Sequence, residues 1–449
     1  MFRALVGVWI IVNFFPGLGY SNDDSSFFAA RREALMKKIE KSVAVLAGAP
    51  DPRAYVAFRQ DNNFYYLTGV ETPNALLLLD STENHSILFL PPRNINEEKW
   101  DGPRLFPSPE STVQTGIDEV LDLSKFGEEL EKRKNKAQAV YIPLSPHEIA
   151  ATSRDRALQH DRAHQSDSWD GRQSRESAFE QKLRAKLGRS VAIKDLSPIL
   201  DDMRRVKDAQ EIERLREAGR IGALGIKEAI RFAKPGMYEY QFAALAEFQF
   251  RWNGASGTAF FPIVGSGPNS CIVHYEENSR KTEAGDLVVM DFGPDYLYYE
   301  SDLTRTFPVS GRFSEEQARI YQIVLDAQKA ALEKVRPGAT FLEVGEAARK
   351  KLEHYGLDNY LTHGVSHYVG MSVHDVGKPV PFEPGVIITV EPGVYIPEKK
   401  LGIRIEDTVL VTKDGFEILT GGVPKEIAEI EKLILESRSE DNKFTVPAF

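Results

Sequence analysis

Residues 284–293 read AGDLVVMDFG, and one hundred positions later residues 384–393 read PGVIITVEPG. Each stretch passes from a glycine-containing turn into four apolar or β-branched residues and ends on a carboxylate, Asp291 in the first and Glu391 in the second. Short apolar runs bounded by Gly and Pro read as buried strands. A carboxylate at the end of such a strand is costly to bury without a partner. Taken singly, each is more simply read as a turn or cap residue.

The two stretches do not stand alone. KPGMYEYQFAALAEF at 234 is answered by RPGATFLEVGEAARK at 336, and Val273-His274 by Val373-His374. SDLTRTFPVSG places Asp302 nine residues before Gly311, and IEDTVLVTKDG places Glu406 nine before Gly415. A near-constant offset of this kind is the mark of an internal repeat. It predicts two halves of like architecture, each with helices against an antiparallel sheet. The residues that pair are chemically selective: Asp with Glu, His with His, Asp with Glu. An approximate twofold axis between the halves would bring them to a central cleft from both sides.

Asp291, Asp302, Glu391 and Glu406 carry four negative charges, which two divalent cations would balance. His367 adds a neutral nitrogen. It lies in HGVSHYVGMSVHDVG (363–377), which holds three of the nine histidines in the chain. Gly364, Gly370 and the valines make a regular helix doubtful there, so His363 and His367 need not share one ion. Four oxygen donors, one imidazole and no thiolate favour Mn, Co or Fe over a cysteine-rich zinc arrangement. Water held between two such ions would be acidic enough to act as a nucleophile near neutral pH. The expected chemistry is hydrolysis.

The remaining sequence bounds this reading. The length of 449 residues suits two domains, and 42% hydrophobic with 27% charged residues is ordinary for a globular protein. A net charge of −10 with no Lys/Arg stripe argues against a nucleic-acid partner. Cys271 is the only cysteine, so no internal disulfide can form. Residues 1–21 resemble a signal peptide: a basic start, the apolar run ALVGVWIIVNFF and small residues before a polar NDDSS. The alternative is an N-terminal helix or anchor, but the apolar run is shorter than the ~20 residues of a span. Export, periplasmic or secreted, is therefore expected if the leader functions, with no stable membrane anchor after its removal and a cytoplasmic location otherwise.

Residues 27–195 read as a smaller α/β domain, with a charged helical start (FAARREALMKKIEKSVAVLAG) and strand-like runs ALLLLD and SILFLPP. Within it, 146–190 read as exposed helix and loop. His160 and His164 stand there at i, i+4, a spacing that can bind metal, but no oxygen or sulfur ligands cluster around them and a solvated face is expected. Residues 200–440 form the second domain.

At this point a resemblance becomes specific. MDFGPDYLYYESDLTRTF, HGVSHYVGMSVHDVG, VEPGVYI and GIRIED resemble the motifs of the pita-bread metallopeptidases, family M24. GSGPNSCIVHYEEN is similar to the segment that carries their additional active-site histidine. FRQDNNFYYLTG (58–69) and WDGPR (100–104) look like the preceding domain of aminopeptidase P and prolidase. The resemblance implies an α/β (α+β) fold with a C-terminal pita-bread domain. It implies Asp291, Asp302, His367, Glu391 and Glu406 as ligands of two divalent ions, most often Mn2+, with Co2+, Fe2+ or Zn2+ as alternatives. A hydroxide bridging the ions would attack the scissile carbonyl. His274 and His374 would stabilise the tetrahedral intermediate, and Glu391 would carry a proton to the leaving nitrogen. Of the substrate-side residues, His363 would line the proline pocket, while Tyr395 and Arg404 would orient Asp291 from behind. Glycines in the histidine loop would let the backbone approach the metal.

The implied activity is release of the first residue from peptides beginning Xaa-Pro, by a dimer or tetramer. Ser366 within HGVSH, where prolidases more often show Gly, leans away from the Xaa-Pro dipeptidase alternative. The large N-terminal domain disfavours methionine aminopeptidase. Pita-bread proteins that have lost their ligands and serve as binding modules are a further alternative, against which the complete ligand set speaks.

Overall fold

The computed structural model describes residues 22–52, 55–146, 153–188 and 191–439. The leader expected at 1–21 lies outside these. The chain divides into two compact units, residues 1–142 with 182–194, and residues 143–181 with 195–449. Among the described residues, no helix is long and apolar enough to cross a membrane.

The first unit is built on a mixed sheet of β1 (Val43–Ala47), β2 (Leu76–Asp80), β3 (His85–Leu90), β4 (Glu119–Asp122), β5 (Ala139–Ile142) and β6 (Ala192–Asp195). Their order is β4-β3-β2-β1-β5-β6. β1 and β2 run antiparallel, β1 and β5 parallel. In FAARREALMKKIEKSVAVLAG the helical reading holds for the first part and is corrected for the last: the helix Asn22–Lys38 ends within the stretch, and VAVLA is a central strand. Lys41, with φ of 51°, breaks the helix, and a strand buried against neighbours on both edges reads as a continuous apolar run. In FRQDNNFYYLTG, Asp61 caps the helix Asn62–Thr68 by accepting from the Phe64 amide at 2.8 Å. Buried Gln60 meanwhile ties the amide of Ala49 to the carbonyls of Val70 and Thr72.

The second unit shows the repeat directly. Helices Ala209–Phe232 and Glu239–Trp252 recur as Glu315–Leu332 and Phe341–Glu353. After the short β7 (Gly257–Thr258) and β8 (Ile263–Ser266) come β9 (Leu287–Asp291), β10 (Pro294–Tyr296), β11 (Tyr299–Glu300) and β12 (Thr304–Pro308). They recur as β13 (Ile387–Val390), β14 (Gly393–Ile396), β15 (Leu401–Arg404) and β16 (Asp407–Val411), followed by β17 (Phe416–Ile418). β9 pairs antiparallel with β12, and β13 with β16. Even the turns repeat. Gly236 and Gly338 have φ of 90° and 83°, and their amides donate to Thr282 O and Phe382 O at 2.9 and 2.8 Å. Only glycine takes such a conformation without strain, which is why KPG and RPG keep it.

The strands between those turns are core. Leu287–Met290 and Ile387–Val390 are 0–3% exposed, and burying each such side chain contributes about 1.5–3 kcal/mol. That burial fixes where the strands end, and so where Asp291 and Glu391 emerge. Residues 143–181, placed in the first domain by the sequence reading, group with the second unit, contributing helix Arg154–Ser166. Their charged composition runs on unbroken and marks no boundary.

Candidate metal centre

The halves meet along a seam of β12 and the β15–β16 segment. The Glu406 amide donates to Thr304 O at 3.1 Å. The Thr306 hydroxyl donates to Arg404 O at 2.8 Å, and the Thr408 hydroxyl to Asp302 O at 2.6 Å. Behind the seam, fully buried Arg305 donates to Asp407 Oδ1 at 2.7 Å and to the carbonyls of Thr304 and Glu406. These bonds hold the strands that carry Asp302 and Glu406 side by side.

The carboxylates surround one imidazole. His367 Nε2 lies 3.3 Å from Glu391 Oε1 and 3.5 Å from Asp302 Oδ2. One ligand atom each of Asp302, His367 and Glu406 fall within 4.8 Å of one another. His367 Nδ1 stands 3.0 Å from the Tyr368 carbonyl. A carbonyl only accepts, so Nδ1 carries a proton and Nε2 is directed at the acids, which without a cation raise His367 well above the usual imidazole range. Loop 363–377 contains neither helix nor regular strand, in keeping with the doubt its glycines raised.

Two buried carboxylate oxygens of this cluster have no hydrogen-bond partner, Asp291 Oδ1 and Asp302 Oδ1. Burying an acceptor without a partner costs about 1–3 kcal/mol, more for a charged group. Without a cation the carboxylates also repel one another. Burial and the charge of Asp291 push Asp302 up to about 8. Burial and Asp302 push Glu406 well above the carboxylate range. Glu391 differs: burial raises it, but the His367 hydrogen bond and charge outweigh this and hold it at about 2. The donor set and the open oxygens fit divalent cations.

Arg404 organises the cluster from below. Its Nη2 donates to Asp291 Oδ2 at 2.6 Å, its Nη1 to the Tyr395 hydroxyl at 2.7 Å and its Nε to Thr304 Oγ1 at 3.0 Å. Tyr395 lies 2.9 Å from His363 Nε2, and Thr304 in turn donates to Glu406 Oε2 at 2.6 Å. Arg404 and Tyr395 are 2% and 4% exposed, too buried to count as substrate contacts, and Tyr395 reaches Asp291 only through Arg404. His363 Nδ1 stands 3.6 Å from Glu391 Oε2.

His274 and His374 flank the acids. The His374 ring stacks on His367 with centroids 3.9 Å apart, and His367 together with burial takes it down to about 3. His274 is lowered too, by the partial burial of its ring within the cleft, although it feels the charge of Asp291. Both imidazoles are neutral near pH 7 and can each offer an N–H. Their neighbours Tyr275 and Val373 share a small apolar cluster with Ala259, Phe260 and Ile263, which fixes the two loops. A cavity of about 340 Å³ opens beside His367 and His374, with Arg154, Phe341 and Val376 among its lining.

Sequence reasoning missed two threonines. Thr304 serves Glu406, while Thr389 accepts from the His367 amide and donates to Glu391 Oε1 at 3.1 Å. Each lies two residues from a carboxylate, Asp302 or Glu391, and residues two apart on a strand share a face. That spacing is a signal for Thr389, which serves Glu391, but not for Thr304, whose partner Glu406 lies in the other half. Gly370 is also read differently: a Cβ there would meet Asp375 Oδ2 at 2.1 Å. The glycine admits a buried ion pair in which Asp375 accepts from Arg204 at 2.6 Å and Lys207 at 3.1 Å.

Known proteins bear on this geometry. Metallopeptidase family M24 matches residues 213–413, and the aminopeptidase P N-terminal domain matches residues 28–141. The Xaa-Pro aminopeptidase of Escherichia coli is 35% identical, the alignment covering 92% of this chain and 98% of that protein. A structure of a putative aminopeptidase P from Bacillus anthracis superposes with a TM-score of 0.83 at 33% identity, covering 92% of this chain and 99% of the other. The Xaa-Pro dipeptidase of Pyrococcus furiosus is 39% identical, but over only 51% of this chain and 66% of its own. With both of its domains accounted for over nearly its whole length, the chain belongs to metallopeptidase family M24, in its aminopeptidase P group.

Proposed function

We propose that the chain is a metal-dependent exopeptidase that releases the first residue from peptides with proline in second position. The observation that carries the metal reading is the cluster of Asp291, Asp302, Glu391 and Glu406 with His367, three of the carboxylates buried and Asp291 Oδ1 and Asp302 Oδ1 left unpartnered. Asp291, Asp302, His367, Glu391 and Glu406 would hold two divalent ions, Mn2+ being our choice for so oxygen-rich a set. When bound, such a pair supplies a Lewis acid and an activated water, as is general for two-metal aminopeptidases.

The side chains divide the remaining work. Glu391 accepts the proton of the attacking water and passes it to the leaving nitrogen. An Xaa-Pro bond has no N–H of its own, so that proton is needed to expel proline. His274 and His374, both neutral, donate N–H groups to the oxygen that becomes negative in the tetrahedral intermediate. His363, bonded to Tyr395, stands on the proline side. Arg404 and Tyr395 hold Asp291, and Thr304 holds Glu406, at fixed angles.

The aminopeptidase reading is favoured over Xaa-Pro dipeptidase by the full-length match, which includes the N-terminal domain. Cleavage of Gly-Pro-Ala, Gly-Pro and Gly-Ala-Ala by Mn-loaded protein, with a chelated control, tests it. Metal-dependent release of glycine from Gly-Pro-Ala is expected. Cleavage confined to Gly-Pro would move the assignment to the dipeptidase. We further propose a dimer or tetramer, and export directed by residues 1–21. An intact Met1 in protein recovered from an exporting host would refute the latter.

A further inference from the structure

Away from the central site, helix Arg154–Ser166 carries His160 and His164 one turn apart. Their Nε2 atoms face each other at 3.1 Å, and the ring centroids are 4.3 Å apart. On the far side of the His164 ring, Asp170 Oδ2 lies 2.6 Å from Nδ1. An ionised carboxylate only accepts, so His164 carries its proton on Nδ1 and turns the lone pair of Nε2 towards His160. The carboxyl oxygen expected to be missing beside this pair is thus supplied by Asp170.

The chain is bent to supply it. After the helix, Asp167 Oδ1 accepts from the amides of Trp169 at 2.7 Å and Asp170 at 2.9 Å. Gly171, with φ of 59°, completes the reversal. Arg172 Nε donates to Asp170 Oδ2 at 2.9 Å, and its Nη2 comes within 3.3 Å of His164 Nδ1. The arginine therefore braces the carboxylate on the Nδ1 side and leaves the Nε2 pair open. Two imidazole nitrogens bound to one ion at about 2.0–2.1 Å lie roughly 2.9–3.4 Å apart, depending on the bond angle. The observed separation falls in that interval.

We propose that His160 and His164 form a second metal site, an N,N-chelate oriented by Asp170, for a borderline-soft divalent ion such as Zn2+, Ni2+ or Cu2+. His160 is exposed and His164 half-buried, so the ion exchanges freely and keeps positions for water or an incoming ligand. Its chemistry is the complement of the central cluster: two nitrogens and no first-sphere oxygen, against four carboxylates and one nitrogen. By ligand preference the helix site disfavours Mn2+. The Asp170 carboxylate fixes the tautomer and ring orientation of His164, as such partners do for metal-bound histidines.

The test is to count zinc in the full chain by competition with a chromophoric chelator, comparing wild type with His160→Ala/His164→Ala. The double variant is expected to bind one Zn2+ fewer per chain while its other zinc stoichiometry and its thermal midpoint stay unchanged. Cu2+ added to wild type is expected to show an electron paramagnetic resonance pattern of two equivalent nitrogens that the variant lacks. Asp170→Asn is expected to weaken the extra ion by about 10–100-fold. Equal zinc counts and affinities in wild type and double variant would overturn the proposal, as would a copper spectrum unaffected by the substitutions.

Discussion

The two halves of the repeat share an architecture but treat their carboxylates differently. In the first half, Asp291 and Asp302 each keep one buried oxygen without a partner. In the second, Glu391 and Glu406 each accept a threonine hydroxyl, from Thr389 and Thr304. The histidines differ likewise: His274 is exposed on its loop, whereas His374 is stacked on His367. One half presents unsatisfied charge, and the other presents oriented, restrained groups. A cation site needs both, because unpaired acids alone repel and restrained acids alone have no unmet need.

The largest effect is expected where the unsatisfied half is emptied. Asp291→Ala should abolish hydrolysis together with metal, read by metal per chain after dialysis and by peptide cleavage; an active variant would break the comparison outright. Arg404→Met leaves Asp291 buried without the guanidinium that donates to it. It should cost the metal-free protein about 3–5 kcal/mol, the loss typical of a half-deleted buried pair, read by chemical denaturation. His274→Ala should keep its metal but turn over ~100-fold more slowly, as removal of an oxyanion donor does. Full activity would show that the exposed histidine of the first half is idle.

Smaller changes sharpen the contrast. Thr304→Val and Thr389→Val should each weaken metal binding by about 10-fold, at the low end for lost outer-shell partners, with little change in helix content. Asp375, within the histidine loop, sits in a buried environment that would raise it, yet Arg204 and Lys207 hold it below the ordinary carboxylate range. A depressed folded-state value gives stability that is present above the unfolded pKa of ~4 and lost as pH falls below it. The metal-free wild type should therefore lose stability more steeply below pH ~4 than Asp375→Asn does, as measured by denaturant midpoints across that range.

Much of this was legible in the sequence, for identifiable reasons. The period between Asp291 and Glu391 survives because the turns at Gly236 and Gly338 and the buried strands after them tolerate little change. Their spacing therefore encodes the twofold arrangement. Thr304 and Thr389 were not legible in the same way, since a β-branched polar residue in a strand looks like ordinary strand composition. The burial of Tyr395 and Arg404 behind Asp291 is a tertiary fact with no local signature. The strand VAVLA was hidden behind a charged helix, and only the left-handed turn at Lys41 separates them. The assignment of residues 143–181 to the second unit, and the approach of Asp170 to His164, both depend on chain reversals that composition does not mark.

Both halves contribute to one centre in this reading, so the most direct measurement is the number of Mn2+ ions held per chain by wild type, Asp302→Ala and Glu406→Ala after equilibrium dialysis. Two ions in the wild type, and fewer than one in either variant although the substitutions lie in different halves, is the expected result. No stoichiometric metal in the wild type, or two ions retained when either carboxylate is removed, would contradict it.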